Sequence, residues 1–90
     1  MNKYHFQVSI NAEQYCDEVI NEMVKLFNIS NNEALGRVNR HWAGKSFDDE
    51  SLLFHMLPEE WANDIYYGLN SFWWKKEKKD LIPLPSNEEI

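Results

Sequence analysis

Cysteine is nearly absent from this chain, which contains one, Cys16, among 90 residues. A lone thiol excludes a disulfide within the chain and favours a reducing compartment. Cys16 falls on an apolar stripe of helical spacing, where a cysteine usually behaves as a small buried hydrophobe. The sequence therefore predicts a core residue at this position and not a nucleophile.

Long apolar runs are also missing from the sequence. No segment approaches the roughly 20 residues that a membrane-spanning helix requires. The first ten residues, MNKYHFQVSI, lack the apolar core of a signal peptide. Together with the single cysteine, these features predict a cytoplasmic protein without a membrane partner.

Positive charge is scarce, with nine lysines and arginines against fifteen acidic residues and a net charge of −6. Nucleic-acid binding normally requires a positive field, so the sequence predicts no nucleic-acid partner. An acidic surface instead favours basic partners and accelerates their approach. The alternative explanation, that the charge serves solubility alone, stays open at this point.

Motifs of catalysis and metal binding are not found in the sequence. The glycines are isolated, so there is no phosphate-binding loop, and the three histidines (His5, His41, His55) do not show metal-ligand spacing. Adjacent carboxylates such as Asp48 and Asp49 would not face a common point on a helix. We therefore expect no catalytic residue, no metal and no cofactor, and a binding protein is favoured over a small enzyme.

The N-terminal third of the chain contains the clearest helical pattern. Apolar residues recur at helical spacing from Ala12 to Phe27, and Asn11 is predicted as the N-cap with Gln14 as its capping-box partner. Before this helix, residues 3–10 alternate loosely between apolar and polar. That alternation predicts either a short strand or an extended segment lying on the core.

Two further helices are indicated by their end signals. Ser30 and Glu33 form a capping-box pattern before the second helix, and Gly44 is placed to end it. Pro58 suits the first position of the next helix, and Gly68 is a candidate for its end. Between these helices, residues 46–49 are polar and turn-like, and residues 51–57 fit either a helical turn or a buried strand.

These patterns predict a mainly α fold, a small helical domain of three to four helices with a short strand or extended segment at the N-terminus. The domain is expected to cover residues 1–80, followed by a loosely ordered C-terminal tail at 81–90 that contains two prolines. An arginine pair with a histidine, Arg37, Arg40 and His41, could bind phosphate or a carboxylate. The favoured interpretation is that Arg37 pairs with Glu33 one helical turn earlier.

Residues 46–74 contain six acidic residues, several large aromatic rings and no lysine or arginine. Rings supply binding energy at protein interfaces and carboxylates supply steering, so this stretch is predicted to bind a partner. The alternative is that the acids cap helices and the rings build the core, but three adjacent rings at 72–74 cannot all point inward. The predicted partner-binding residues are Asp48, Asp49, Glu50, Glu59, Glu60, Trp61, Asp64, Tyr67, Trp73 and Trp74.

The segments EALGRVNRHWAG and FHMLPEEWANDIYYGLNSFWW, within residues 33–74, are similar to a recurring pattern in small bacterial proteins. As a whole, this small, acidic, ring-rich chain resembles the immunity proteins of contact-dependent inhibition and other polymorphic toxin systems. The resemblance implies binding and neutralisation of a cognate toxin with a basic domain, often a nuclease. It assigns no role to a particular residue. The alternative is a structural or regulatory module that forms a homodimer through Trp73 and Trp74.

Overall fold

The computed structural model describes residues 3–48, 52–68, 73–74 and 81–84. The elements in these ranges are, in chain order, β1 (Gln7–Val8), α1 (Ile10–Phe27), α2 (Asn31–His41), β2 (Ser46–Phe47), a 3-10 helix (Leu52–His55) and α3 (Pro58–Tyr67). The prediction of a mainly helical domain is confirmed. The 3-10 helix also decides between the two descriptions left open for residues 51–57, in favour of a helical turn.

Helix α1 begins at Ile10, earlier than the sequence predicts, because Ser9 and not Asn11 is its N-cap. Ser9 has an extended backbone, and its Oγ accepts a hydrogen bond from the Ala12 N–H at 3.1 Å. The predicted cap at Asn11 is therefore wrong. At the other end Asn28 takes a left-handed conformation (φ 53°) and its N–H donates to the Val24 carbonyl at 3.0 Å.

The end signals of α2 and α3 are largely confirmed. Ser30 caps α2, with its Oγ accepting from the Glu33 N–H at 3.0 Å. Pro58 is the first residue of α3, and Gly68 (φ 101°) closes that helix with its N–H on the Asp64 carbonyl at 2.8 Å. A side chain is strained at a positive φ of this size, so glycine is favoured there. Helix α2 ends at His41, a little before the predicted glycine.

The N-terminal strand is shown, and it is very short. Gln7 pairs with Ser46 and Val8 with Phe47, in a parallel two-stranded arrangement. The sequence predicted residues 46–49 as a polar turn, so the partner strand at Ser46–Phe47 corrects that expectation. The pairing joins segments that are distant in the chain and brings the ring of Phe6 within 5.8 Å of the Phe47 ring, centroid to centroid.

The core is centred on α1, which packs more extensively on α3 than on α2. Cys16, Val19 and Met23 are fully buried along its inner face. The prediction of Cys16 as a core residue is thus confirmed, and burial raises the pKa of its thiol to about 12. From α2 and α3 the core receives Ala34, Val38, Ala62 and Ile65.

Arg37 is buried, with 4% of its surface exposed, and it connects three parts of the fold. Its guanidinium binds the Glu33 carboxylate at 2.9 Å, which confirms the predicted pair, and it lies 4.6 Å from the centroid of the Tyr66 ring. Its Nη1 also donates to the Leu84 carbonyl at 2.7 Å, while the Leu84 N–H donates to the Tyr66 carbonyl at 2.9 Å. At Leu84, within the segment predicted as a loose tail, the chain is therefore fixed to α2 and α3.

Among the described residues, no helix combines the length and apolar character needed to cross a bilayer.

Candidate partner-binding surface

One face of α3 carries Glu59, Asn63 and Tyr67, each one helical turn after the last. These side chains border a cleft of about 270 Å³ between α3 and the end of α1. The full lining is Leu26, Phe27, Glu59, Asn63, Tyr67, Trp73 and Leu81. The helical repeat thus places a carboxylate, an amide and a phenol in one row beside a tryptophan.

Glu59 gives this row its charge. It is exposed, and in the described part of the chain it forms no ion pair. The side-chain amide of Asn63 donates to the Glu59 main-chain carbonyl at 3.0 Å, so the carboxylate is not occupied by that bond. A solvated carboxylate of this kind is available to a positive group on another molecule.

Tyr67 is held by the rings around it. Its ring is edge-on to Phe27 at 5.4 Å and to Tyr66 at 5.0 Å, while Phe27 and Tyr66 stack at 3.8 Å. Partial burial raises the pKa of the Tyr67 hydroxyl. A tyrosine hydroxyl is protonated at neutral pH in any case and can donate a hydrogen bond. The ring cluster fixes the orientation of Tyr67 before any partner arrives.

Asp64 positions Trp73. The indole Nε1–H of Trp73 donates to Asp64 Oδ1 at 2.5 Å. Burial raises the pKa of Asp64, although the hydrogen bond from Trp73 and the nearby His41 act in the opposite direction. Asp64 is therefore a partly buried carboxyl group that accepts a hydrogen bond from the indole of Trp73. At this surface it orients the Trp73 ring.

Trp74 is an exposed ring of this region, with 57% of its surface accessible. It stands edge-on to Trp73 at 5.6 Å, so the ring that Asp64 orients also contacts the exposed one. This meets the expectation that at least one of the rings at 72–74 is exposed. We call the set Glu59, Asp64, Tyr67, Trp73 and Trp74 the α3 surface.

The other predicted site residues lie elsewhere. Glu60 accepts the Leu57 N–H at 2.8 Å and acts as a capping side chain of α3. Trp61 packs edge-on against the buried Trp42 at 5.3 Å, on a different face of the helix. Asp48 is exposed directly after β2, and Asp49 and Glu50 lie outside the described residues. For Glu60 and Trp61 the structure thus shows the capping and packing roles that the sequence left as the alternative.

Sequence reasoning missed what α1 contributes to the cleft. Leu26 and Phe27 line it from the last turn of that helix. Adjacent residues of a helix point in directions about 100° apart, so the two cannot both face one narrow core stripe. The adjacency of Leu26 and Phe27 was therefore the signal in the sequence that one of them faces away from the core stripe. Leu57, within the segment for which a helical turn or a buried strand was predicted, is 65% exposed.

Within the ranges that the structure describes, no group of three or more histidine, cysteine or acidic side chains is arranged to hold a metal ion. Comparison of the chain with family models, with curated proteins and with solved structures gave no match. A functional assignment therefore rests on the geometry and charge of the α3 surface.

Proposed function

We propose that this domain is an immunity protein that binds a basic bacterial toxin domain through the α3 surface, and that the toxin is a nuclease. The observation that carries the proposal is the exposure of Trp74 (57%) next to a tryptophan that Asp64 holds in place. Glu59 adds to the same helix a carboxylate that has no ion pair within the described residues. Tryptophan is among the residues that contribute most to binding at protein interfaces.

Charge supports a basic partner. The stretch 46–74 has six acids and no lysine or arginine, and its acids Glu59 and Asp64 belong to the α3 surface. A nuclease requires a positive cleft for the phosphates of its substrate, and an acidic protein surface can occupy such a cleft. Opposite charges raise the association rate, whereas buried rings mainly slow dissociation.

The geometry also reduces the entropic cost of binding. Trp73 is fixed by its hydrogen bond to Asp64, and Tyr67 is held edge-on against the stacked rings of Phe27 and Tyr66. Side chains that are ordered before binding do not lose rotamer freedom on binding, and each such side chain can save about 0.5–1.5 kcal/mol. A preformed set of rings with a carboxylate beside it suits a protein-binding surface.

The test first identifies a toxin gene adjacent to the gene of this chain, and then measures binding of its toxin domain to the chain by surface plasmon resonance at several salt concentrations. We expect Trp74→Ala to weaken binding at least about tenfold, mainly through faster dissociation. Glu59→Lys should slow association several-fold and flatten its salt dependence, because it reverses an attractive charge. Glu13→Lys on α1 is the control for the same change in net charge.

Two results would contradict the proposal. If the toxin domain binds Trp74→Ala and Glu59→Lys as tightly as the unmodified chain, the α3 surface is not the interface. If the toxin domain does not bind the chain, and producing the chain does not protect cells from that toxin, the immunity role is wrong. Helical circular dichroism of each variant checks that the fold is retained.

Self-association through the same rings is the second candidate, since Trp74 and Leu57 are both exposed by more than half. A two-fold contact through the α3 surface would bring Glu59 and Asp64 of one copy close to those of the other. Like charges at an interface oppose association. Sedimentation velocity of the chain alone decides between the candidates: a concentration-dependent dimer that Trp74→Ala abolishes would favour self-association.

A further inference from the structure

A second and larger cleft, of about 530 Å³, lies on another side of α3. It is bordered by the end of α2, by β2, by α3 and by Leu84, and its lining residues are His41, Trp42, Lys45, Phe47, Trp61, Gly68 and Leu84. The volume is in the range of sites for small ligands, which are mostly apolar with a few polar groups. This cleft has that composition.

Three rings form the apolar part of the cleft. Trp42 is buried (4% exposed), and Phe47 and Trp61 stand edge-on to it with centroids at 5.2 Å and 5.3 Å. The parallel strand pair places Phe47 there, and helix α3 places Trp61 there. Rings held at right angles in this way present both a face and an edge to a flat aromatic guest.

The charge at the cleft is opposite to that of the molecule as a whole. Three cations in the described ranges are paired with acids, as Lys3–Asp17, Lys25–Glu22 and Arg37–Glu33. Lys45 has no such pair in those ranges, and its side chain borders the cleft. Its main-chain N–H donates to the Trp42 carbonyl at 2.9 Å, which fixes the backbone of Lys45 next to the rings.

The titratable groups near Lys45, His41 and Asp64, do not add a negative charge to the lining of the cleft. Burial lowers the pKa of His41, and Arg40 and Lys45 lower it further while Asp64 acts in the opposite direction. His41 is therefore mostly neutral at pH 7 and can serve as a hydrogen-bonding group. The nearby Asp64 carboxylate is not among the lining residues and is bonded to Trp73.

We infer that this cleft binds a small aromatic carboxylate, with the ring against Trp42, Phe47 and Trp61 and the carboxylate at Lys45. An aromatic cation would meet the same rings but would be repelled by Lys45, and the described residues put no carboxylate in the lining. The lining of this cleft shares no residue with the α3 surface, and the two meet at Asp64, which lies near His41. Trp61 follows Glu59 by two positions, so the two side chains point to nearly opposite sides of α3.

The experiment compares three probes that share one ring system, the anion 1-naphthoate, the neutral 1-naphthamide and the cation 1-naphthylmethylammonium. Binding is followed by the NMR signals of the tryptophan indole N–H groups, assigned with single Trp→Phe variants. We expect naphthoate to shift the Trp42 and Trp61 signals saturably with a Kd of about 1 mM, as suits a ligand of this size. Naphthamide should bind about fivefold more weakly and the cation more weakly still.

Lys45→Gln is the decisive variant, because Lys45 is exposed and the change should not affect folding. It should reduce naphthoate affinity about fivefold, to that of naphthamide, and leave naphthamide binding unchanged. Lys25→Gln, which also removes one exposed lysine charge, should change neither. Equal binding of the three probes, equal shifts of Trp73 and Trp74, or no effect of Lys45→Gln would each overturn the inference, whatever the outcome for the toxin.

Discussion

The four tryptophans show how one residue type takes different roles according to its surroundings. Trp42 is buried, Trp61 packs on it, Trp73 is oriented by Asp64, and Trp74 is exposed. Composition alone treats these rings alike. The sequence placed Trp61 with the partner-binding residues, whereas the structure places it in the wall of a separate cleft. At the residue scale, burial decides the chemistry.

Cys16 provides a prediction at this scale. Its thiol is fully buried, and its pKa of about 12 compares with 9.0 for an ordinary cysteine, so at pH 8 it carries about a thousandfold less thiolate. We expect Cys16 in the folded protein to react with iodoacetamide at least about a thousandfold more slowly than in 6 M guanidinium chloride, since lost access adds to the lost thiolate. Mass spectrometry after timed labelling measures both rates. Rapid labelling of the folded chain would show that the residue opens to solvent.

At the scale of elements, helix ends are set by single side chains. Ser9 caps α1, so this helix begins at Ile10, earlier in the chain than the sequence predicts. Ser30 caps α2, and Pro58 is the first residue of α3. Each sets its helix start through a local hydrogen bond or a fixed φ, which is why most of these ends are visible in the sequence. The exception at Ser9 shows that two capping residues two positions apart compete, and that sequence spacing does not rank them.

A substitution at Asn28 tests how the backbone between α1 and α2 contributes to stability. Its left-handed backbone (φ 53°) suits asparagine or glycine and costs other residues roughly 1–2 kcal/mol. We expect Asn28→Ala to lower the free energy of unfolding by about 1 kcal/mol, whereas Asn28→Gly should change it by less than about 0.5 kcal/mol. Urea unfolding followed by circular dichroism provides both values. Equal losses for the two variants would mean that the asparagine side chain, and not its backbone, matters.

At the scale of the whole molecule, α3 separates two surfaces of different chemistry. Its Glu59 and Tyr67 border the acidic cleft with Trp73. Its Trp61, together with Gly68 directly after the helix, borders the cleft at Lys45. Helix α1 supports one side, and α2 with β2 supports the other. An acidic protein thereby carries a local positive group where its net charge alone would not suggest one.

Arg37 connects α2, α3 and the chain at Leu84, so its removal should affect the molecule as a whole. We expect Arg37→Met to lower the free energy of unfolding by about 2 kcal/mol, because it leaves the Glu33 carboxylate and the Leu84 carbonyl without their partner. Hydrogen exchange at the Leu84 amide should also become faster. Arg40→Met, at an exposed position of the same helix, is the control and should stay within about 0.5 kcal/mol. An equally stable Arg37→Met would show that apolar packing replaces these bonds.

Much of the fold could be predicted from the sequence, because helical periodicity, capping residues and one-turn ion pairs are local properties. The three helices, the buried Cys16 and the Glu33–Arg37 pair are confirmed for this reason. Less of the candidate site could be predicted. The acidic and aromatic stretch was visible, but its grouping into an α3 surface and a second cleft was not.

The sequence by itself determined where the helices form and which face of α1 is apolar, since these depend on neighbours within one or two turns. Only the tertiary structure decided that Gln7–Val8 pairs with Ser46–Phe47 and that Arg37 holds Leu84. It alone decided that Trp74 is exposed while Trp73 is bonded to Asp64. Contacts between distant segments depend on how the helices pack against one another, and periodicity along the chain does not encode that packing.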